Sequence, residues 1–480
     1  MKCSTVLFGL ALTLIPLMIN EAEGGDPNTT GRSGSGSGSR SRVSQTAASS
    51  SRMARKGGYA QDDSSSTRSG RRIPSSYGEE NPIFDFIRAH GGNKQPYFAN
   101  RSVDESKFVG PSQATKIWML FRHGIRSAKE REINKLSGLT NIRKRIIESF
   151  TNADYCPLSK TNWLKLRKWS LDASISQNQG QMLTQRGVQE LQVLADIYKT
   201  RFPKLFVKKY TPKKYNILHS IEERNKASFR VFFDRIFGEG KSAGIDALAQ
   251  GAQEDLVECF RAYEQNLHPD QKTTNVEEPR FHNTNTFASM VVRISQQYGF
   301  ATDNYENDKE SILSMFEMCR YEEAWYRNES VWCTFFQPED VLVLEYASDL
   351  HTFYDYGYGY TQFLNIACTT VVDMLTHLLS NNGPRVTAYF THSPELLLHL
   401  VAMRAYRDPV RIKANNFNDM HDRHWKNSKL DLFCSHFTAV KYGKNAVKFF
   451  MNEQLIYLPW CNQGLCDIND LYSGFSHCTS

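Results

Sequence analysis

The stretch Lys116–Ser127, KIWMLFRHGIRS, constrains this chain more than any other. It opens as an apolar run from Ile117 to Phe121 and then turns into Arg122, His123, Gly124, Ile125 and Arg126. An apolar run this short fits a strand buried on both faces. Gly124 is the first residue after it at which the backbone bends freely. Whatever follows such a strand sits at the carboxyl edge of a sheet, where open α/β sheets bind their ligands. Two guanidiniums around one imidazole suit a multiply charged oxyanion there, because arginine offers a planar fork of donors that matches phosphate oxygens. The plainer reading is a solvated strand end with an incidental histidine. The pattern R-H-G-x-R directly after a buried strand argues against it.

Two more stretches repeat the arrangement. Tyr215–Ser220 reads as a second strand running into a helix that carries Arg224, Phe229, Phe232 and Phe233. Val386–Phe390, β-branched and aromatic, reads as a third. It ends in Thr391-His392-Ser393-Pro394-Glu395, where Ser393 is expected to cap the next helix and Pro394 to be its first residue. Three strand-to-helix junctions thus deliver His123, Arg224 and His392 to one sheet edge. Helix starts also favour anions through their free N–H groups and dipole.

The intervening segments are mostly helical. Residues 128–136 are charged, and Lys129 and Lys135 are expected to reach additional phosphates, the plainer alternative being a solvated helix face. Leu183–Leu191 opens an amphipathic helix with Leu191, Leu194, Ala195 and Tyr198 on one side, ending by Pro203. Residues 237–335 are strand-poor and read as an inserted helical cap. Val341–Tyr346 fits either a strand or a buried helix segment, and residues 349–360 read as an aromatic and glycine loop.

The chain begins differently. Lys2 precedes an apolar run from Val6 to Ile19 and then small and acidic residues, the pattern of a secretory signal over residues 1–24. Residues 25–76 are rich in Ser, Gly and Arg and hold too little apolar surface to offset their ordering entropy, so they are expected to form a disordered basic tail. Nine cations against three carboxylates there account for six of the chain's seven net positive charges. The remainder is near neutral, so no nucleic-acid surface is indicated. The tail's charge would suit weak binding to anionic surfaces such as acidic glycans or lipid headgroups, although a solvated linker is the plainer reading. Arg68-Ser-Gly-Arg71-Arg72 has the look of a basic processing site. No later segment is apolar enough to span a membrane. Ten cysteines fit an oxidising compartment. Cys461, Cys466 and Cys478 are expected to staple the C-terminal tail, 461–480, while a zinc site is poorly supported without a second close pair. Asn28, Asn100 and Asn328 are glycan acceptor candidates.

The R-H-G-x-R stretch, the later His392 junction and their order along the chain resemble the histidine acid phosphatases, over Ile117 to about Tyr457. Leu183-Thr-x-x-Gly187, the Cys319–Cys333 segment and Asp349-Leu through Gly357-Tyr-Gly359-Tyr resemble the multiple inositol polyphosphate phosphatase branch. The resemblance implies an α/β fold: a mixed central sheet flanked by helices (81–236 and 336–460) with the helical insertion 237–335. It implies His123 as nucleophile, with Arg122, Arg126, Arg224 and His392 binding the phosphate. No cofactor or metal is implied, since guanidiniums neutralise the transferring group. Two positions depart from the family pattern. Ala128 stands where a proline is usual, and the acid that follows the second histidine has moved to Glu395, with Pro394 in its place. Glu395 is therefore the expected proton donor. The function implied is a secreted phosphomonoesterase acting on inositol polyphosphates through a phosphohistidine. The alternatives are a secreted pseudophosphatase that binds without turnover, or a broad-specificity acid phosphatase.

Overall fold

A computed structural model describes residues 82–479 except 100, 152, 154, 173–180, 262–274 and 360–363. The expected signal, tail and processing site lie outside the described residues, as do Asn28 and Asn100. Asn328 is exposed just after a helix end.

The apolar run opening the key stretch is the middle of β1, Ala114–Arg122. The other two expected strands are β2, Tyr215–His219, and β3, Val386–Thr391. Together with β4 (His436–Tyr442), β5 (Ala446–Met451), β6 (Gln454–Leu455) and β7 (Cys466–Asp467) they form one mixed sheet. Its order is β2-β3-β1-β4-β5-β6, with β7 against β5. β1, β2 and β3 are mutually parallel, and β4 runs antiparallel to β1. The register pairs Arg122 with Thr391 and His219 with Phe390, so the three parallel strands end level with one another. Their following loops therefore start along one edge.

Alternation along β1 explains its apolar run. Trp118 and Leu120 enter one buried cluster, and Ile117, Met119 and Phe121 enter another on the opposite face. Each fully buried side chain of this size contributes roughly 1.5–3 kcal/mol over exposure. The second face is covered by α5 (Gln185–Arg201) and α6 (Glu223–Phe237). These follow α1 (Pro82–His90), α2 (Glu130–Ser137), α3 (Leu139–Phe150) and α4 (Lys160–Lys168). The first face is covered by later helices. Residues 237–335 are mainly helical, with α7 (Glu277–His282), α8 (Asn285–Gln297) and α9 (Tyr305–Tyr326). Their Phe281, Phe287, Met315 and Trp332 belong to the same apolar cluster as Trp118 and Leu120, so this stretch shares the core of the sheet.

One open alternative is settled and two local expectations are corrected. Val341–Tyr346 is helical, within α10 (Pro338–Tyr356). Pro338 starts that helix and Asp340 accepts from the Gln337 backbone, a start signal that outweighs the β-branched run. The expected aromatic loop therefore begins only at Gly357. After α11 (Leu364–Leu379) and β3, helix α12 is Ser393–Ala402, with His392 rather than Ser393 at its cap position. The Ser393 hydroxyl is engaged instead by Asp431.

Disulfides join Cys319 to Cys333, Cys368 to Cys478 and Cys461 to Cys466. The three C-terminal cysteines thus close one small loop and tie the end of the chain to α11. Cys156, Cys259 and Cys434 are unbridged. No described helix is long and apolar enough to cross a membrane.

Candidate active site

The carboxyl edge of the three parallel strands borders a cleft of about 460 Å³. Arg122, His123, Arg126, Arg224 and His392, from all three junctions, line it together. Lys94, Lys129, Arg131, Arg261 and Arg320 raise its cations to eight, against Glu132, Glu317 and Asp431. Lys129 is half-buried, and burial followed by the nearby Arg126 pushes its ammonium down to about 8. Lys135 does not line this cleft. It is exposed, paired with Glu310 at 3.1 Å, and lines an adjoining pocket of about 470 Å³. A lysine one and a half turns along α2 has rotated off the cleft face.

His123 is fixed as a neutral ring with a defined tautomer. Its Nδ1 lies 2.9 Å from the Gly124 carbonyl and donates to it, which leaves the Nε2 lone pair available. Its backbone N–H donates to Thr391 and its carbonyl accepts from Cys434. Burial, then the Arg122 and Arg224 charges, hold the imidazole well below its usual range. Gly124 serves close packing: an added Cβ would meet Leu183 and Leu191 side-chain carbons at 2.8 and 2.9 Å.

The guanidiniums are held by groups that sequence reading did not foresee. Arg122 donates to the Asp431 carboxylate and carbonyl and to the Asn93 carbonyl, and it stacks over Phe433. Arg126 donates to the Ser127 carbonyl at 2.7 Å and the Tyr321 hydroxyl at 3.1 Å, with Glu132 at 3.4 Å. Arg224 donates to Gln181 and to Nδ1 of His392. Burial, then Arg126, lowers Arg224 to about 10. Among the described residues, Nε of each of the three arginines is buried without a partner. A buried unpaired donor costs about 1–3 kcal/mol, a deficit that an anion can remove.

His392 sits between Arg224 and two carboxylates. Nε2 lies 2.8 Å from Glu222 and 3.2 Å from Glu258. Its pKa is nonetheless lowered to about 4, because burial outweighs the Glu258 contact. Glu222, Glu258 and His392 form a group of metal-ligating type. Arg261 pairs with both carboxylates, so a cation would have to displace a guanidinium.

Glu395 does not reach the cleft. It is the third residue of α12, one position beyond the expectation, and its carboxylate is buried. It accepts from the Cys259 backbone at 2.9 Å and from the Cys259 thiol. Burial pushes it up to about 8. Serine and proline 393 and 394 line the cleft instead. The segment carrying Asp431 is tied down by Asp349, which accepts from the Asn427 N–H and pairs with Arg423.

This fold and this cleft define a histidine acid phosphatase. The chain belongs to the Histidine phosphatase superfamily (branch 2), whose sequence model matches residues 115–434. It is 32% identical over 380 residues to Multiple inositol polyphosphate phosphatase 1 of Drosophila melanogaster, covering 77% of this chain and 80% of that one. The protein of the same name from Gallus gallus is 23% identical over 375 residues, 74% and 79% of the two chains. Among solved structures, the phytase from D. castellii shares the fold at TM-score 0.68 and 14% identity, over 82% of this chain and 86% of that one. The Bifidobacterium longum Multiple Inositol Polyphosphate Phosphatase, solved with inositol hexasulfate, shares it at TM-score 0.60 and 13% identity, over 81% and 97%.

Proposed function

We propose that this chain hydrolyses inositol polyphosphates, accepting each phosphoryl group on Nε2 of His123. The observation that carries the reading is the charge of the cleft, eight cations against three carboxylates around the neutral His123. A substrate with a single phosphate would occupy only part of that charge. The names of the relatives point the same way.

In this mechanism Nε2 attacks phosphorus in line with the leaving oxygen. Arg122, Arg126 and Arg224 neutralise the equatorial oxygens, so positioning and electrostatics supply most of the acceleration. His392, aligned by Glu222 and Glu258, orients Arg224 through its Nδ1. Lys129, Arg131, Arg261 and Arg320 meet the phosphates that are not being cleaved. Water then hydrolyses the phosphohistidine. The basic, apolar start of the sequence and the three disulfides support action in the secretory lumen or outside the cell.

The test is phosphate release from inositol hexakisphosphate by the wild type and His123→Ala, with chemical trapping of an acid-labile, base-stable phosphoprotein. The expected result is release and trapping in the wild type alone. Release that persists in His123→Ala would overturn the nucleophile. Binding without any release would leave a ligand-binding protein.

A further inference from the structure

Breaking a phosphomonoester leaves an alkoxide that needs a proton. We propose that Ser393 hands that proton to the leaving oxygen and is reprotonated by Asp431 behind it, an assignment that rests on the phosphomonoesterase reading above.

Among the three carboxylates that line the cleft, elimination leads to this pair. Glu132 is gripped by Lys94 and Arg126 at 3.5 and 3.4 Å, and it accepts from the Lys129 N–H and the Tyr321 hydroxyl. Burial opposes these contacts, but they keep it far below the usual carboxylate range. Glu317 is paired with Lys94 at 3.2 Å and with Arg320, which hold it low despite burial. Neither carboxylate can store a proton. Asp431 faces one cation in the ion pairs of the described residues, Arg122 at 3.0 Å through Oδ1. Its burial raises it above the ordinary aspartate value. The other oxygen, Oδ2, lies 2.5 Å from Oγ of Ser393. Ser393 is the residue after His392 and lines the cleft with it and with Asp431, so the hydroxyl and carboxyl border the reaction space as a hydrogen-bonded pair.

The step balances. As the Nε2–P bond forms and the P–O bond breaks, Ser393 Oγ–H passes its proton to the leaving oxygen and takes the proton from Asp431 Oδ2. In the second half, water attacks phosphorus as the Nε2–P bond breaks and its electron pair returns to the imidazole; the water proton goes to Ser393 Oγ, and the serine proton returns to Asp431. Substrate binding assists: a phosphate that takes up the Arg122 charge weakens the ion pair that favours ionised Asp431. Ser393 is the catalytic residue here, and Asp431 acts through it.

The test compares the wild type, Ser393→Ala, Ser393→Thr and Asp431→Asn on an alkyl monophosphate, inositol hexakisphosphate and 4-nitrophenyl phosphate. Nitrophenolate departs without a proton. Ser393→Ala and Asp431→Asn should lose about 10²-fold or more in kcat/KM on the alkyl and inositol substrates, and less than about fivefold on the aryl one. Ser393→Thr keeps the hydroxyl and should keep the wild-type ratio of the two rates. Equal losses on all substrates would overturn the relay, as would a threonine variant that behaves like alanine. If Asp431→Asn fails to fold, the Ala/Thr pair at 393 decides alone. Wild-type turnover of the alkyl and aryl esters but not of inositol hexakisphosphate would overturn the substrate reading only.

Discussion

Gly187→Ala should cripple the enzyme while barely unfolding it. Gly187 lies in the first turn of α5, against the backbone that follows His123, the proposed nucleophile. A Cβ there would sit 2.3 Å from the Ile125 carbonyl oxygen and 2.8 Å from the Ile125 nitrogen. Both are backbone atoms that cannot rotate away. Ordinary contact begins near 3.4 Å, so the two backbones must part by about 1 Å. The same carbonyl accepts from the Thr184 N–H and hydroxyl, which pin the segment to the start of α5. Overpacking of this kind costs about 1–3 kcal/mol. With an unfolding entropy of about 2.1 cal/mol/K per residue over roughly 400 residues, the melting temperature falls by about 1–4 °C. Displacing a nucleophile and its arginine by about 1 Å costs on the order of 10²-fold in rate. The assay is thermal unfolding beside kcat/KM, with Gly244→Ala as control because an added Cβ there meets nothing within 4 Å. Activity within twofold of wild type in a stable Gly187→Ala protein would refute the reasoning.

Other expectations follow from single contacts. Glu395→Gln tests burial: the folded carboxyl titrates near 8, so its stabilising neutral form is fully present below about 4.5 and is lost as pH rises toward 8. The glutamine variant should gain on the wild type between pH 5 and 7.5, by at most about 1.4 kcal/mol per pH unit in urea melts, and an unchanged difference would refute the burial argument. Its ratio of alkyl to aryl phosphate turnover should match the wild type. Replacing both Cys368 and Cys478 by alanine opens a loop of 110 residues and should cost about 4–5 kcal/mol in the chain-entropy view, against about 3 for the 14-residue loop of Cys319 and Cys333. Denaturant midpoints of the two double variants give the order. Lys129→Met should raise KM for inositol hexakisphosphate several-fold more than KM for a monophosphate, since its ammonium would meet a phosphate other than the one cleaved; equal changes would refute that placement.

What could be read from the sequence was what is local. The three parallel strands, the helix after each and the convergence of His123, Arg224 and His392 all follow from short apolar runs ending in distinctive polar residues. The supports could not be read that way. Glu258 meets His392 across 134 positions, and Asp431 meets Arg122 across 309, from segments with no periodicity to mark them. Glu222, two residues before Arg224 at the start of α6, carried a usable signal. The antiparallel strands β4 and β5 did too, since their β-branched and aromatic runs flank a short Gly-containing turn. At α12 the cap position falls to His392 while the Ser393 hydroxyl is taken by the distant Asp431, and Glu395, one position further into the helix than expected, is buried against Cys259.

The seat of Arg122 has a consequence for how the protein is made. Its guanidinium rests on the Asn93 carbonyl and on Asp431, its own N–H donates to Ser435, and Phe433 reaches back to Gln95. Segments around residues 93–95 and 431–435 therefore meet at Arg122. During synthesis His123, the proposed nucleophile, emerges early, yet the seat of the neighbouring Arg122 closes only when the segment around 431–435 arrives, a long-range closure that comes late on entropic grounds. A growing chain carries His123 and its arginines before the contacts that seat Arg122 exist. The seat of the guanidinium is thus assembled only after residue 435 has been added, and a chain cut short of that point would lack the Asp431 and Ser435 contacts that hold Arg122.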